Sequence, residues 1–87
     1  MIINIKDLKN KIIYRANYRG TKEMDKLLGS FAKKYIDQLT HVELPLLSDL
    51  LDLDDENLYK FNQGLVTTII IETNNVTELF RNYEYKS

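Results

Sequence analysis

The sequence predicts an all-α fold, a compact bundle of about five short helices in a single domain. Helix breakers are scarce, since the 87 residues include one proline and three glycines, and such a chain favours helices joined by short connections. Apolar residues recur at the spacing of one buried helical stripe, most regularly between Met24 and Leu39. The length suits one domain over residues 1–87.

The first two helices follow from apolar spacing and from the residues between them. The first is predicted over about residues 5–18, and Gly20 turns the chain just past its end. The second has Thr21 as a suitable N-cap and continues to about Gln38. These two helices should meet at a tight corner.

Capping residues predict the next two helices. Thr40 and Glu43 have the spacing of a capping box, which places a third helix directly after them. The acidic run at residues 54–56 is typical of a helix N-terminus and predicts a short fourth helix. Gly64 should close that helix at its C-terminal end.

The last part of the chain gives two conflicting signals. Residues 66–71 are β-branched throughout, which favours a strand by propensity. A lone strand has no partner in a helical chain, so we predict a fifth helix over about residues 66–73. From about residue 74 the chain is polar, and we expect a loose C-terminal tail.

Composition argues against several kinds of chemistry. The chain has no cysteine and a single histidine, His41, so we predict neither a disulfide nor a metal site. The acidic cluster at residues 52–56 lacks the glycine and the distal glutamate of a calcium loop, and helix capping explains it better. No Gly-rich phosphate loop and no nucleophile elbow occurs, so we predict that the protein is not an enzyme.

Charge and hydropathy limit the partners. A net charge of −1 argues against general nucleic-acid binding, and no apolar run reaches the roughly 18–20 residues of a membrane span. Basic residues fill the first half and acidic residues the second, as two solvated faces or as a dipole that steers docking. The N-terminus lacks a signal-peptide layout, so we expect a cytoplasmic bacterial protein, or a mitochondrial matrix protein in a eukaryote.

The strongest candidate site is the corner before the second helix. Glu23 and Asp25 suit the first helical turn because they offset the helix dipole, and Gly20 suits a corner. Arg19 has no such local reason, since a cation beside a helix N-terminus faces the wrong end of the dipole. From the residues alone, the Arg19–Gly20 corner fits a recognition site that faces a partner and an ordinary structural turn equally well.

Two tyrosines extend this candidate site. Tyr14 and Tyr18 are four residues apart on one helical face, next to Arg15 and Arg19. Tyrosine and arginine are frequent anchors of protein interfaces, which favours a docking surface. Ordinary half-buried tyrosines are the alternative interpretation.

The corner resembles the signature of a known family. Arg19-Gly20-x-x-Glu23, followed by Asp25, is similar to the motif of the succinate dehydrogenase flavinylation factors, whose bacterial members have also been labelled antitoxins. The resemblance covers roughly residues 8–64, with further family-like stretches at Phe31-Ala32-Lys33-Lys34-Tyr35, Leu50-Leu51-Asp52-Leu53-Asp54-Asp55 and Leu58-x-x-Phe61-x-x-Gly64. Two positions differ, since the family tends to have a basic residue at Tyr18 and a tryptophan at Phe61.

This resemblance implies a helper that docks on the FAD-loaded flavoprotein subunit of succinate dehydrogenase, or of a related fumarate reductase, and promotes covalent FAD attachment. It implies a bundle of about five helices that binds no FAD stably itself and is monomeric when free. On this hypothesis, Arg19 donates hydrogen bonds to the partner, Gly20 permits close approach, and Glu23 holds Arg19 or accepts a partner donor.

Other functions stay open at this point. Short helices with tight turns also allow a helix-turn-helix regulator or antitoxin, although the acidic second half argues against DNA binding. A generic helical adaptor would share the tyrosine surface without any effect on flavin. A small enzyme is disfavoured because no reactive groups converge.

Overall fold

The computed structural model describes residues 4–85, which form five helices joined by short turns and one longer irregular segment. The helices are α1 (Ile5–Asn17), α2 (Lys22–Tyr35), α3 (Glu43–Leu51), α4 (Asp55–Asn62) and α5 (Asn75–Arg81). No strand occurs within residues 4–85. The predicted all-α fold is therefore confirmed.

The predicted capping residues fix where α2 and α4 begin. The Thr21 hydroxyl accepts a hydrogen bond from the backbone N–H of Met24 at 3.2 Å. The Asp54 carboxylate accepts from the backbone N–H of Asn57 at 3.1 Å. Each bond satisfies a donor that has no partner inside the helix. Gly64 follows the end of α4 with φ +74°, as predicted.

The predicted capping box precedes α3. The backbone N–H of Thr40 donates to the Glu43 carboxylate at 2.9 Å, and the N–H of Glu43 donates to the Thr40 hydroxyl at 3.2 Å. These reciprocal bonds satisfy donors on both sides of the helix start. The chain therefore turns sharply out of α2 and enters α3 without a long connection.

The core surrounds α2 and receives side chains from all five helices. Phe31 of α2 meets Phe80 of α5 edge-on, with 5.1 Å between the ring centroids. Both side chains are fully buried. Within residues 4–85, the other large side chains that are fully buried are Ile12, Leu28, Leu44, Leu47, Leu58 and Val76. This single core holds α1 and α2 at a fixed angle and so fixes the corner between them.

The predicted fifth helix is wrong in position. Residues 65–74 have no regular structure, and α5 begins at Asn75, in the stretch expected to be a loose tail. The β-branched run disfavours a helix because each side chain loses χ1 freedom against the preceding turn. Asn74 and Thr77 instead form a capping box, and Val76 and Phe80 bury one face of α5.

The tail is also more ordered than expected. The Tyr83 ring packs edge-on against Phe31 at 5.3 Å, and its hydroxyl donates to Ser30 Oγ at 2.8 Å. The expectation of a loose tail from residue 74 is therefore wrong through Tyr83, while residues 86–87 lie outside the described range.

None of the helices within residues 4–85 combines the length and the apolar character that crossing a membrane requires.

Candidate functional site

The corner between α1 and α2 lies at the surface, as predicted for Gly20. The Gly20 φ angle is +117°, in a region that residues with a Cβ rarely adopt. A Cβ built at this position has no other atom within 4 Å. Gly20 is therefore required by backbone conformation, and the open space beside it lets another molecule approach the main chain closely.

Arg19 points the other way, into the protein. Its Nε donates to Asp55 Oδ1 at 2.9 Å, its Nη1 to the Leu51 carbonyl at 2.7 Å and its Nη2 to the Leu53 carbonyl at 2.8 Å. Only 12% of the side chain is exposed. The expectation that Arg19 projects toward solvent and a partner is therefore wrong.

These contacts explain why Arg19 is turned inward. Leu51 is the last residue of α3 and Leu53 lies just beyond the C-cap Asp52, so both carbonyls belong to a helix end that lacks intrahelical partners. Asp55 opens α4 and supplies the compensating charge. A planar guanidinium can serve all three acceptors at once. We call this arrangement of Arg19 with the α3–α4 turn the arginine clamp.

Arg15 and Asp25 also serve the internal structure. Arg15 Nη1 donates to the Ser48 hydroxyl at 3.1 Å, and its other terminal nitrogen pairs with Asp52. The Asp25 carboxylate accepts the backbone N–H of Arg19. Both residues were predicted to contact a partner, but their polar atoms hold α1 to α3 and the corner to α2.

Tyr14 and Tyr18 have the opposite arrangement. Tyr14 and Tyr18 are 65% and 70% exposed, and their rings contact each other at a tilt of 36°, with 4.7 Å between the centroids. The exposure excludes the alternative of ordinary half-buried tyrosines. The pair forms an exposed aromatic surface at the C-terminal end of α1, two residues before Gly20 in the chain.

Glu23 is exposed in the first turn of α2. The carboxylate that pairs with Arg19 is that of Asp55, not that of Glu23, so the suggested Arg19–Glu23 pair is absent. Glu23 instead lines an open groove of about 630 Å³, with Tyr59 and Arg81 on the other walls. Its charge is therefore available to a partner. We call Tyr14, Tyr18, Gly20 and Glu23 the docking corner.

Sequence reasoning missed the partners of the arginine clamp. The acidic run at residues 54–56 was interpreted as helix capping, and this holds for Asp54, while Asp55 is the ion-pair partner of Arg19. The signal in the sequence was the lack of a local role for Arg19. Its partner lies 36 positions further along the chain, beyond what local patterns reveal.

Asp54, the N-cap of α4 and the neighbour of Asp55, keeps its charge. Hydrogen bonds from the Asn57 side chain and then from the Asn57 backbone lower the pKa of Asp54 below its usual value.

Within residues 4–85, no three acidic or histidine side chains converge as a metal site would require. The arrangement offers a rigid surface for recognition.

Comparison with known proteins agrees with the motif. The family model described as flavinator of succinate dehydrogenase matches residues 10–84. The mitochondrial succinate dehydrogenase assembly factor 2 of Scheffersomyces stipitis is 43% identical over 49 residues, 56% of this chain and 33% of that protein. The FAD assembly factor SdhE of Acetobacter pasteurianus is 34% identical over 55 residues, 63% of this chain and 50% of that protein.

The aligned part spans a third to a half of the length of these two curated relatives. No solved structure matches the chain. The family match covers α2, α3, α4 and α5 completely, together with most of α1, and includes the whole docking corner and the arginine clamp. The chain therefore belongs to the flavinator of succinate dehydrogenase family.

Proposed function

We propose that this protein is an assembly factor that docks on the flavoprotein subunit of succinate dehydrogenase, or of a related fumarate reductase, and promotes covalent FAD attachment to it. The observation that carries the proposal is the docking corner itself. In a chain of this family, two exposed tyrosines that contact each other and an exposed glycine backbone lie at a corner that the packed helices hold in place.

The chemistry of the docking corner suits a protein partner. Tyrosines bring a large apolar ring with a polar hydroxyl and lose little conformational freedom on binding, so they serve often as interface anchors. The Tyr14 and Tyr18 rings already contact each other, which lowers the cost of ordering them. Beside them, Gly20 permits contact with the main chain and Glu23 offers a charge.

The role of Arg19 changes in this proposal. Its guanidinium is occupied by Asp55 and two backbone carbonyls, so we assign it a positioning role. It fixes the corner in the conformation that places Gly20 between Tyr18 and Glu23. The four residues of the docking corner then make the contacts with the partner.

The proposed mechanism is a population shift. If the helper binds the attachment-competent arrangement of the flavoprotein better than other arrangements, it raises the population of that arrangement. Holding reacting groups in the right geometry can lower a barrier by several kcal/mol, roughly 7–11 at the limit. The helper therefore needs to supply no reacting group, and the FAD belongs to the partner.

The test is co-expression of the flavoprotein subunit with and without this chain. After denaturation, flavin fluorescence that stays with the polypeptide reports covalent attachment. We expect more attached flavin with the wild-type chain than without it, and a large loss for the double variant Tyr14→Ala/Tyr18→Ala.

Val42→Ala is the matched control, because Val42 is 65% exposed but lies outside the docking corner. It should behave as wild type. Equal flavin content with and without the chain would refute the proposal. Full activity of the tyrosine double variant would place the docking surface elsewhere.

A further inference from the structure

A row of positive charges runs along the exposed face of α2. Lys22, Lys26 and Lys33 are all exposed, and their spacings of four and seven residues place them on one side of the helix. We call these three residues the lysine stripe. Its first and last members are eleven positions apart, so the stripe extends about 16 Å along the helix axis.

The lysine stripe makes no ion pair within residues 4–85. In this part of the chain the cations that do so are Lys9, Arg15, Arg19 and Lys60. The stripe stays unpaired although Glu23 and Asp25 lie in the first turn of the same helix. Its charge is therefore available to an anionic partner.

Lys22 in particular has no structural reason for its position. It opens α2, where a cation faces the unfavourable end of the helix dipole. Arg19 stands at the same helix end, but Asp55 and two backbone carbonyls bind its guanidinium. The Lys22 ammonium has no such partner within the described part of the chain, and its repulsion from Lys26 slightly destabilises the helix. Folding therefore does not account for the stripe.

The stripe begins inside the docking corner. Lys22 follows Gly20 by two residues and directly precedes Glu23. Two peptide units hold the Cα atoms of Gly20 and Lys22 within roughly 8 Å of each other, and all three residues are exposed. A partner that contacts the Gly20 backbone therefore comes close to Lys22.

A cleft connects the rest of the stripe with the end of α1. It has a volume of about 460 Å³, and its walls include Lys26, Lys33 and Asn17. Asn17 is exposed and directly precedes Tyr18. The lysine stripe and the docking corner therefore border each other on the outside of the protein, at Lys22 and again at Asn17.

We propose that the lysine stripe binds an acidic surface of the flavoprotein subunit, beside the place where the docking corner makes its contacts. This inference rests on the proposed function. Opposite charges on two surfaces speed their encounter and fix its orientation more than they raise the affinity. The stripe would thus select the orientation in which Tyr14 and Tyr18 meet the partner.

The length of the stripe favours a protein surface over a small anion. Charges spread over about 16 Å do not converge on a single phosphate or carboxylate group. A nucleic-acid strand also carries spread charge, but Glu23 lies beside Lys22 and the chain has a net charge of −1, which disfavours a phosphate backbone. A protein surface can place acidic groups opposite the lysines and a donor opposite Glu23.

The test is the association rate of the purified flavoprotein subunit with the triple variant Lys22→Gln/Lys26→Gln/Lys33→Gln, measured by surface plasmon resonance beside the wild-type chain. At low ionic strength we expect association about tenfold slower than that of the wild type. The difference should nearly vanish in 1 M salt, where the Debye length is about 3 Å. The melting temperature should stay unchanged, because all three side chains are exposed.

The matched control is Lys6→Gln/Lys9→Gln/Lys60→Gln. It removes the same amount of positive charge as the stripe variant does, but from positions outside the lysine stripe. The one ion pair of Lys9 and that of Lys60 are surface pairs, which contribute little to stability. The control should therefore associate nearly as fast as the wild type.

The outcomes separate this inference from the proposed function. If the wild type binds and the stripe variant associates equally fast, the inference is overturned while the proposed function stands. It is also overturned if the control slows association as much as the stripe variant does, since the position of the charge would then not matter. Binding of the wild type to a short DNA duplex, lost in the stripe variant, would assign the stripe to nucleic acid and overturn the inference. If the wild type does not bind the flavoprotein subunit at all, the proposed function fails as well.

Discussion

The two sides of the corner between α1 and α2 differ in chemistry and in task. The inward side consists of charged groups, Arg15, Arg19 and Asp25, whose polar atoms are bonded within the protein. The outward side presents Tyr14 and Tyr18, both more than half exposed. The charged residues of a signature motif can thus have a structural role, while neighbouring residues form the exposed surface. The comparison predicts that inward changes lower stability and that outward changes lower affinity.

The largest expected effect on stability is that of Arg19→Ala. It leaves the Leu51 and Leu53 carbonyls and the Asp55 carboxylate without their donor, which should cost about 2–4 kcal/mol of unfolding free energy. Urea unfolding followed by circular dichroism measures this cost. Arg19→Lys is the control, since it keeps the charge but replaces the planar guanidinium that spans the three acceptors with a single ammonium nitrogen, and it should recover part of the loss. An unchanged unfolding midpoint for Arg19→Ala would contradict the structural role of the inward side of the corner.

The next effect is that of Gly20→Ala. A Cβ meets no atom there, so the expected cost is backbone strain at φ +117°, about 1–3 kcal/mol. Thermal melts measure it. Gly64→Ala is a matched variant, because Gly64 also has a positive φ and open space around it, and it should cost a similar amount. A wild-type melting temperature for Gly20→Ala would show that the corner can relax.

A smaller effect concerns pH. Because the pKa of Asp54 is lowered by its bonds from Asn57, the stability it contributes is complete above its usual pKa of 3.8 and is lost as pH falls through the folded-state value. Asp54→Asn keeps an N-cap acceptor but does not titrate. Between pH 7 and pH 3, its melting temperature should therefore fall less than that of the wild type. Equal falls would contradict the assignment.

The smallest effect on stability is that of Tyr14→Ala. The side chain is 65% exposed and loses mainly its contact with the Tyr18 ring, so the unfolding free energy should change by less than about 0.5 kcal/mol. Chemical denaturation measures this value. A loss comparable to that of Arg19→Ala would mean that the outward side is also structural, and the division between the two sides would fail.

Much of the fold could be predicted because its signals are local. Thr21, Asp54 and the Thr40–Glu43 pair each bond a backbone donor within three residues, and such short-range bonds leave a readable spacing. The position of the fifth helix was predicted wrongly because β-branched propensity, apolar spacing and burial point to different structures for residues 66–73. In residues 66–71 the β-branched side chains stay outside, while the polar stretch after residue 74 carries its own capping box and Phe80.

At the candidate site, the surface position of Gly20 could be predicted, but the inward direction of the Arg19 side chain could not. Sequence reasoning singled out the corner between α1 and α2 and noted that Arg19 lacked a local role, which left an external partner or a distant internal one. The choice depends on the packing of α3 and α4 against the corner, and that packing is set by the whole core.

The most direct test compares Tyr18→Ala with Arg19→Lys in binding the flavoprotein subunit, at a temperature at which circular dichroism shows both variants folded. The account predicts that Tyr18→Ala binds at least tenfold more weakly at unchanged stability, as expected for an interface anchor. Arg19→Lys should be less stable yet bind as the wild type does. The reverse result, with full affinity for Tyr18→Ala and lost affinity for folded Arg19→Lys, would contradict the account.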